Sequence, residues 1–195
     1  MAILFFDNFD DNVLDPTKWG NAPYVSLVEQ NGHLEQNDPG NPQLVYAIDG
    51  AGIYAADLVG REMLLKISSS QVNSGQSQLA LFSAALGGKL SLKLEYTTWA
   101  LEYEGVGISW DIPPPVPIND QVYQCKIKFV STTRVEWYID NILHKTSDPL
   151  VPLTIEPAII TIQSLGYSKF NDFIFQDSVV PSGGTKLNCP ISMLI

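Results

Sequence analysis

The stretch TRVEWYIDNILHKTS, residues 133–147, decides how the rest of the chain reads. It is an alternating run, a two-residue break and a second, shorter run. In an extended backbone successive side chains point to opposite sides. Val135, Trp137 and Ile139 therefore share one face, and Arg134, Glu136, Tyr138 and Asp140 the other. Asp140-Asn141 stands where a two-residue turn needs residues that tolerate positive φ. The stretch is a β-hairpin with Trp137 on its buried face, which leaves the roles of Tyr138 and Asp140 to be explained.

Outward from this hairpin the same period recurs. In KLSLKLEY (89–96), Leu90, Leu92, Leu94 and Tyr96 face inward, while Ser91, Lys93 and Glu95 face outward. In VYQCKIKF the inward set is Tyr123, Cys125, Ile127 and Phe129. LALFSAAL (79–86) is apolar on both faces and reads as a central strand covered on both sides. Strands are expected near 3–7, 24–29, 32–36, 43–48, 52–59, 61–69, 77–86, 89–96, 98–104, 106–110, 121–131, 133–140, 142–147, 158–166 and 169–177. NDPGNP, VNSGQS, GG and PPPVPIND supply turns between them, and helical periodicity is nearly absent. So many strands on short turns predict one all-β domain over 1–177, a sandwich of two antiparallel sheets. A tail over 178–195 has a Pro-Ser-Gly-Gly hinge and an apolar end.

The chain has 195 residues, 45% of them hydrophobic and 16% charged, which suits a single folded core. Its formal charge is −10, with 21 acidic against 11 basic side chains. That balance repels phosphate backbones and anionic lipid, so neither nucleic acid nor a membrane surface is expected as partner. Cys125 and Cys189 form neither a disulfide framework nor a metal knuckle, and Cys125 reads as a buried free thiol. MAILFFDNFD lacks the basic start of a signal peptide. The expected location is a virion, or the exterior after lysis, and otherwise the cytoplasm.

Four segments resemble one superfamily. LFFDNFDDNVLDPTKWG is similar to the opening of concanavalin A-like lectins and laminarinase-type glucanases, VEQNGHLEQ to their next hairpin, VEWYIDNILHKTSDP to their late hairpin, and KFNDFIFQD to their returning last strand. The resemblance implies a jelly roll in which Trp137 packs between sheets, Asp140-Asn141 closes a turn and Trp19 anchors the first loop. It also implies a structural calcium where first and last strands meet, with Asp7, Asp10 and Asp172 as ligands and Asp11 and Asp177 nearby. The other reading of those residues is a solvated acidic edge.

The glucanases of this superfamily carry Glu-x-Asp-x-x-Glu or Glu-x-Asp-x-Glu on one strand, and neither pattern occurs here. The nearest approach is LEYEG, with Glu102 and Glu104 on one face. His33 and His144 have no partner at triad or metal spacing, and His144 reads as an exposed strand residue. The densest cluster of sugar-contacting side chains is TTWALEYEGVGISWDI: Trp99, Tyr103 and Trp110 as stacking platforms, with Glu102, Glu104 and Asp111 to take hydroxyls. Trp99, Leu101 and Tyr103 share a face, so the competing reading for that face is core. Gly105 and Gly107 suggest a bulge or close approach.

The expectation is a non-catalytic recognition or adhesion module that binds glycan, set in an assembled structure such as a phage particle. It needs no cofactor beyond the calcium and meets a protein partner or a second copy through its tail. The alternatives are an assembly protein with no sugar ligand and a divergent glycoside hydrolase.

Overall fold

The computed structural model describes residues 3–21, 27–36, 43–47, 58–71, 75–83, 89–95, 97–103, 106–131, 133–147 and 158–178. Every regular element among them is a strand. In chain order these are β1 (Ile3–Asp7), β2 (Trp19–Asn21), β3 (Val28–Gln30), β4 (His33–Glu35), β5 (Gln43–Ala47), β6 (Arg61–Ser69), β7 (Gln76–Ser83) and β8 (Lys89–Glu95). There follow β9 (Thr98–Tyr103), β10 (Val106–Ile108), β11 (Tyr123–Ser131), β12 (Arg134–Ile139), β13 (Ile142–Thr146), β14 (Ala158–Leu165) and β15 (Ser168–Asp177). Most of the expected strand at 52–59 and the tail from 179, with Cys189, lie outside the described residues.

One eight-stranded sheet runs β13-β12-β11-β6-β15-β4-β3, with β1 also on β15; a seven-stranded sheet runs β10-β9-β8-β7-β14-β5-β2. All pairings are antiparallel. The core lies between the sheets. Met63, Leu65, Ile67, Tyr123, Cys125, Ile127, Phe129, Val135, Trp137 and Ile139 face Leu79, Leu90, Leu92, Leu94, Leu101, Ile160 and Ile162. The alternation read from 89–95, 123–129 and 134–139 holds in each described case.

The opening hairpin is as expected: Asp140 and Asn141 have φ of 51° and 64°, the conformation a two-residue hairpin turn demands. Asp140 does more than turn the chain. Its carboxylate accepts the Gln124 N–H at 2.8 Å, its own N–H donates to Gln124 O at 2.9 Å, and Asn141 Nδ2 donates to Gln124 Oε1 at 3.1 Å. The turn is stitched to β11. Tyr138, on the outer face, donates its hydroxyl to Glu136 Oε2 at 2.7 Å and lies under the Lys126 ammonium, 4.1 Å from the ring centre.

One strand escapes the period-two reading, and one residue, His144, is placed otherwise than expected. Trp19 belongs to β2, a three-residue strand on β5 that ends the seven-stranded sheet; flanked by Gly20, it is too short to show a period. His144 is buried, 3% exposed. With Ile139 opposite Ile142 and Tyr138 opposite Leu143, the hairpin register turns His144 toward the side of Trp137, and the ladder then slips so that Lys145 takes the place opposite Trp137.

The first and last strands meet at an aromatic corner. Trp19 packs against Phe5 and Phe173 with ring centres 5.1 and 5.4 Å apart, and its Nε1 donates to Asp7 Oδ2 at 2.8 Å. Glu29 lies beside this corner, accepting the Asp11 N–H at 3.1 Å. Burial first, then the hydrogen bond and negative charge of Asp11 and the charge of Asp7, push its carboxyl up to about 7 from the usual 4.5. Between those values the folded chain holds a proton that the unfolded chain releases. Its contribution to stability is therefore full below pH 4.5 and lost as pH rises through 7. The melting temperature should be a few degrees higher at pH 5 than at pH 8, and Glu29→Gln should flatten that slope. Asp15 and Asp111, held below the usual 3.8 by Thr17 and Lys145 respectively, act in the opposite sense but only as pH falls below that value. A slope between pH 5 and 8 that survives Glu29→Gln would assign it to another group.

Candidate functional site

The six residues expected to gather around a sugar divide between two places. Trp99 is 2% exposed and points into the core, edge-on to Tyr123 at 5.2 Å. The core reading of that face therefore holds for Trp99 and Leu101. Trp110 is half-buried and sits beside Trp99, donating its Nε1 to Trp99 O at 3.1 Å. Its ring stands edge-on to His144 at 6.0 Å. His144 in turn holds Ile112 O through Nδ1 at 3.1 Å, so that nitrogen carries the proton, and its own carbonyl accepts the N–H groups of Asp111 and Ile112. Asp111 is exposed, but its carboxylate is engaged by the Lys145 ammonium and the Thr146 N–H. This network is how the bulged His144 fixes the chain leaving Trp110, a role that no local pattern around residue 144 announces.

Trp99 and Trp110, with Thr97, Thr98 and the run 113–117, line a cleft of about 300 Å³. The proline run is pinned from behind. Trp99 Nε1 donates to Pro115 O at 3.0 Å, and the Ile118 N–H donates to the Tyr123 hydroxyl at 2.9 Å.

Glu102 lies elsewhere. Alternation turns it to the outer face of the seven-stranded sheet, opposite Ser91, while Trp99 and Leu101 turn inward. There it pairs with the Lys93 ammonium, and Ser91 Oγ donates to its other oxygen at 3.4 Å. On the same face Gln78 Nε2 donates to Gln163 Oε1 at 2.9 Å. Ala80, Ser91, Ala100 and Gly107 put little bulk between these longer polar chains; a Cβ built on Gly107 meets nothing within 4 Å. Gln78, Ala80, Ser91 and Lys93 are buried, whereas Gln163 on one flank and Ala100, Glu102 and Gly107 on the other reach solvent. Glu104 and the side chain of Tyr103 lie outside the described residues.

No protein-family model matches the chain, and no curated protein matches it in sequence. Solved structures match its backbone. A chain from the endo-acting O-glycanases that prominent members of the human gut microbiota express to initiate mucin breakdown superimposes with a TM-score of 0.70 at 11% identity, over 91% of this chain and 100% of that one. The catalytic domain of an endo-1,3-beta-glucanase (laminarinase) from Thermotoga petrophila RKU-1 gives 0.64 at 13%, over 90% and 98%. The carbohydrate recognition domain of Emp46p, in a potassium-bound form, gives 0.62 at 10%, over 89% and 96%. The chain has the concanavalin A-like fold. At such identities the likeness carries architecture and not activity.

The acidic corner of this concanavalin A-like sandwich does not assemble the expected calcium ligands. Asp7 accepts Trp19 Nε1 and the Phe9 N–H and stands 3.6 Å from the Lys18 ammonium. Asp172, at φ 47° in a bulge of β15, pairs with Lys66, and Asp177 faces Arg61 at 3.6 Å. Asp10 is exposed. Among the described residues no group of three or more His, Cys, Asp or Glu is placed to hold a metal. Cys125 is a buried free thiol, and burial raises its pKa and keeps it unreactive.

Proposed function

We propose that the chain is a non-catalytic carbohydrate-recognition module that binds a glycan on the outer side of the seven-stranded sheet, at the flanks that reach solvent. The observation that carries this reading is the polar set on that face: the Gln163 amide and the Glu102 carboxylate reach solvent, backed by the buried Gln78 amide, Ser91 hydroxyl and Lys93 ammonium, with open space above Gly107. Amides, hydroxyls and carboxylates are the groups that take sugar hydroxyls. Solved chains of the same architecture include a carbohydrate recognition domain and an endo-1,3-beta-glucanase catalytic domain, which supports a saccharide as ligand.

The spacing of the described carboxylates argues against hydrolysis. Glu95 stands opposite Thr98 and Glu102 opposite Ser91. That is four ladder positions, roughly 13 Å, against about 5–5.5 Å for a retaining pair and about 6.5–9.5 Å for an inverting one.

The rival reading is an assembly subunit, of the kind a virus particle is built from, that contacts other chains and no sugar. It is favoured by the apolar edge at β1, where Ile3, Leu4 and Phe6 are 59%, 38% and 43% exposed, beside the strand from which the apolar tail departs. A glycan array that includes laminarin and mucin O-glycans separates the two. Retention without new reducing ends, weakened roughly tenfold by Gln163→Ala, is the expected result. Reducing ends that appear with the chain and vanish in Glu102→Gln would make it an enzyme. No retention, with a solution mass above monomer that deletion of 181–195 lowers, would favour the assembly subunit.

A further inference from the structure

The cleft beside Trp110 borders the sheet face at Thr98 and has a chemistry of its own. Its walls are poor in hydrogen-bond donors. The four prolines of the lining, Pro113, Pro114, Pro115 and Pro117, carry no N–H. Both indole N–H groups are already given away, that of Trp99 to Pro115 O and that of Trp110 to Trp99 O. The Thr98 hydroxyl also donates to Trp99 O, at 3.4 Å, which leaves the Thr97 hydroxyl at the rim as the remaining side-chain donor among the described lining residues. Carbonyl oxygens, each with two lone pairs, outnumber it. Among the described residues no charged side chain lines the cleft, and the carboxylate of Asp111, next in sequence to Trp110, is neutralised by Lys145.

We infer that this cleft is a second binding site and that it takes a single neutral sugar ring. Its volume is at the lower end of small-molecule sites, about 300 Å³, which suits one ring and not a chain. The solvent-reaching part of the Trp110 ring suits the apolar C–H face of a pyranose. The donor-poor, acceptor-rich walls suit a ligand that brings its own donors, as hydroxyls do. An anion finds no cation among the described lining residues. A cation finds no carboxylate among them and meets the Lys145 ammonium beyond Asp111. The site rests on the reading of the chain as a glycan binder and extends it: one ring is held at the edge of the sandwich while the polymer lies on the outer side of the sheet.

The test uses the full chain, 15N-labelled, titrated with the methyl glycosides of glucose, galactose, mannose and N-acetylglucosamine and, separately, with tetramethylammonium. The indole N–H signals of Trp99 and Trp110 are expected to move saturably with at least one glycoside and to stay still with tetramethylammonium. Trp110→Ala would disturb the packing on His144, so the decisive variant is Thr98→Arg, which fills the cleft from an exposed rim position. It should abolish the shifts or weaken binding at least roughly tenfold without changing the melting temperature. Movement with tetramethylammonium alone, movement that persists in Thr98→Arg, or no movement with any glycoside overturns the inference. If array retention falls in Gln163→Ala but the tryptophan signals never respond, the sheet-face reading stands and this one falls. If the glycosides shift the tryptophans while the array shows no dependence on Gln163, the reverse holds.

Discussion

Trp137→Ala is expected to lower the unfolding free energy by roughly 3–5 kcal/mol, the range for deleting a large buried aromatic. The side chain is wholly buried between the sheets, next to Ile127 in register across the β11–β12 ladder. Its loss leaves a void that the surrounding strands cannot close. Its Nε1 has no acceptor among the described residues, so Trp137→Phe, which removes the N–H and keeps an aromatic ring, should cost far less. Tyr138→Ala, one residue along, removes a half-buried ring whose contacts are the Lys126 ammonium and one hydrogen bond to Glu136, and should cost about 1 kcal/mol. Urea unfolding with an unchanged m-value measures all three. Equal, small losses at 137 and 138 would mean that the hairpin presents a different face to the core.

Glu102→Ala should be nearly as damaging, for an electrostatic reason. The Lys93 side chain is 8% exposed and faces a Glu102 carboxylate that is 24% exposed. Removing the carboxylate strands a nearly buried ammonium, a change that costs about 3–5 kcal/mol when a buried pair is broken from one side. Adding Lys93→Met to Glu102→Ala should restore most of the loss, because an apolar chain of similar length no longer needs a counter-charge. The double-mutant cycle reads the coupling directly. A loss below about 1 kcal/mol for Glu102→Ala would place the pair among exposed, screened ones.

Elements whose signal is local were legible in the sequence. The hairpins at Asn31-Gly32 and Asp140-Asn141 declare themselves through period-two alternation and turn residues that accept positive φ, and both are found with φ between 51° and 73°. The three-residue β2 has no room for a period, and the bulge at His144 depends on its pairing with β12, so neither could be read one strand at a time. The site divides the same way. Ser91, Lys93 and Glu95 are legible as an outward set, and hairpin register would have placed Glu102 beside Lys93. Gln78 and Gln163 meet across 85 residues, and only strand order brings them together. Trp99 and Trp110 were noticed as aromatics near one another; that the proline run closes over them follows from Tyr123 and the Trp99 indole holding it in place.

The strand order has a consequence for how the protein is made. β15 bonds to β6 along one side and to both β4 and β1 along the other, and β14 carries β5, which carries β2. The strands described up to residue 47 thus attach to the rest of their sheets only through the last two. During synthesis they leave the ribosome first and wait for residues 158–177 before finding a partner, whereas β7 to β10 and β11 to β13 each zip up with the neighbour just made. Contacts of that span favour slow folding, and a waiting segment containing Ile3, Leu4, Phe5 and Phe6 is open to wrong partners meanwhile. Moving residues 1–47 to follow residue 177 by circular permutation would make those pairings local, and refolding of the permuted chain should be faster and less prone to aggregate.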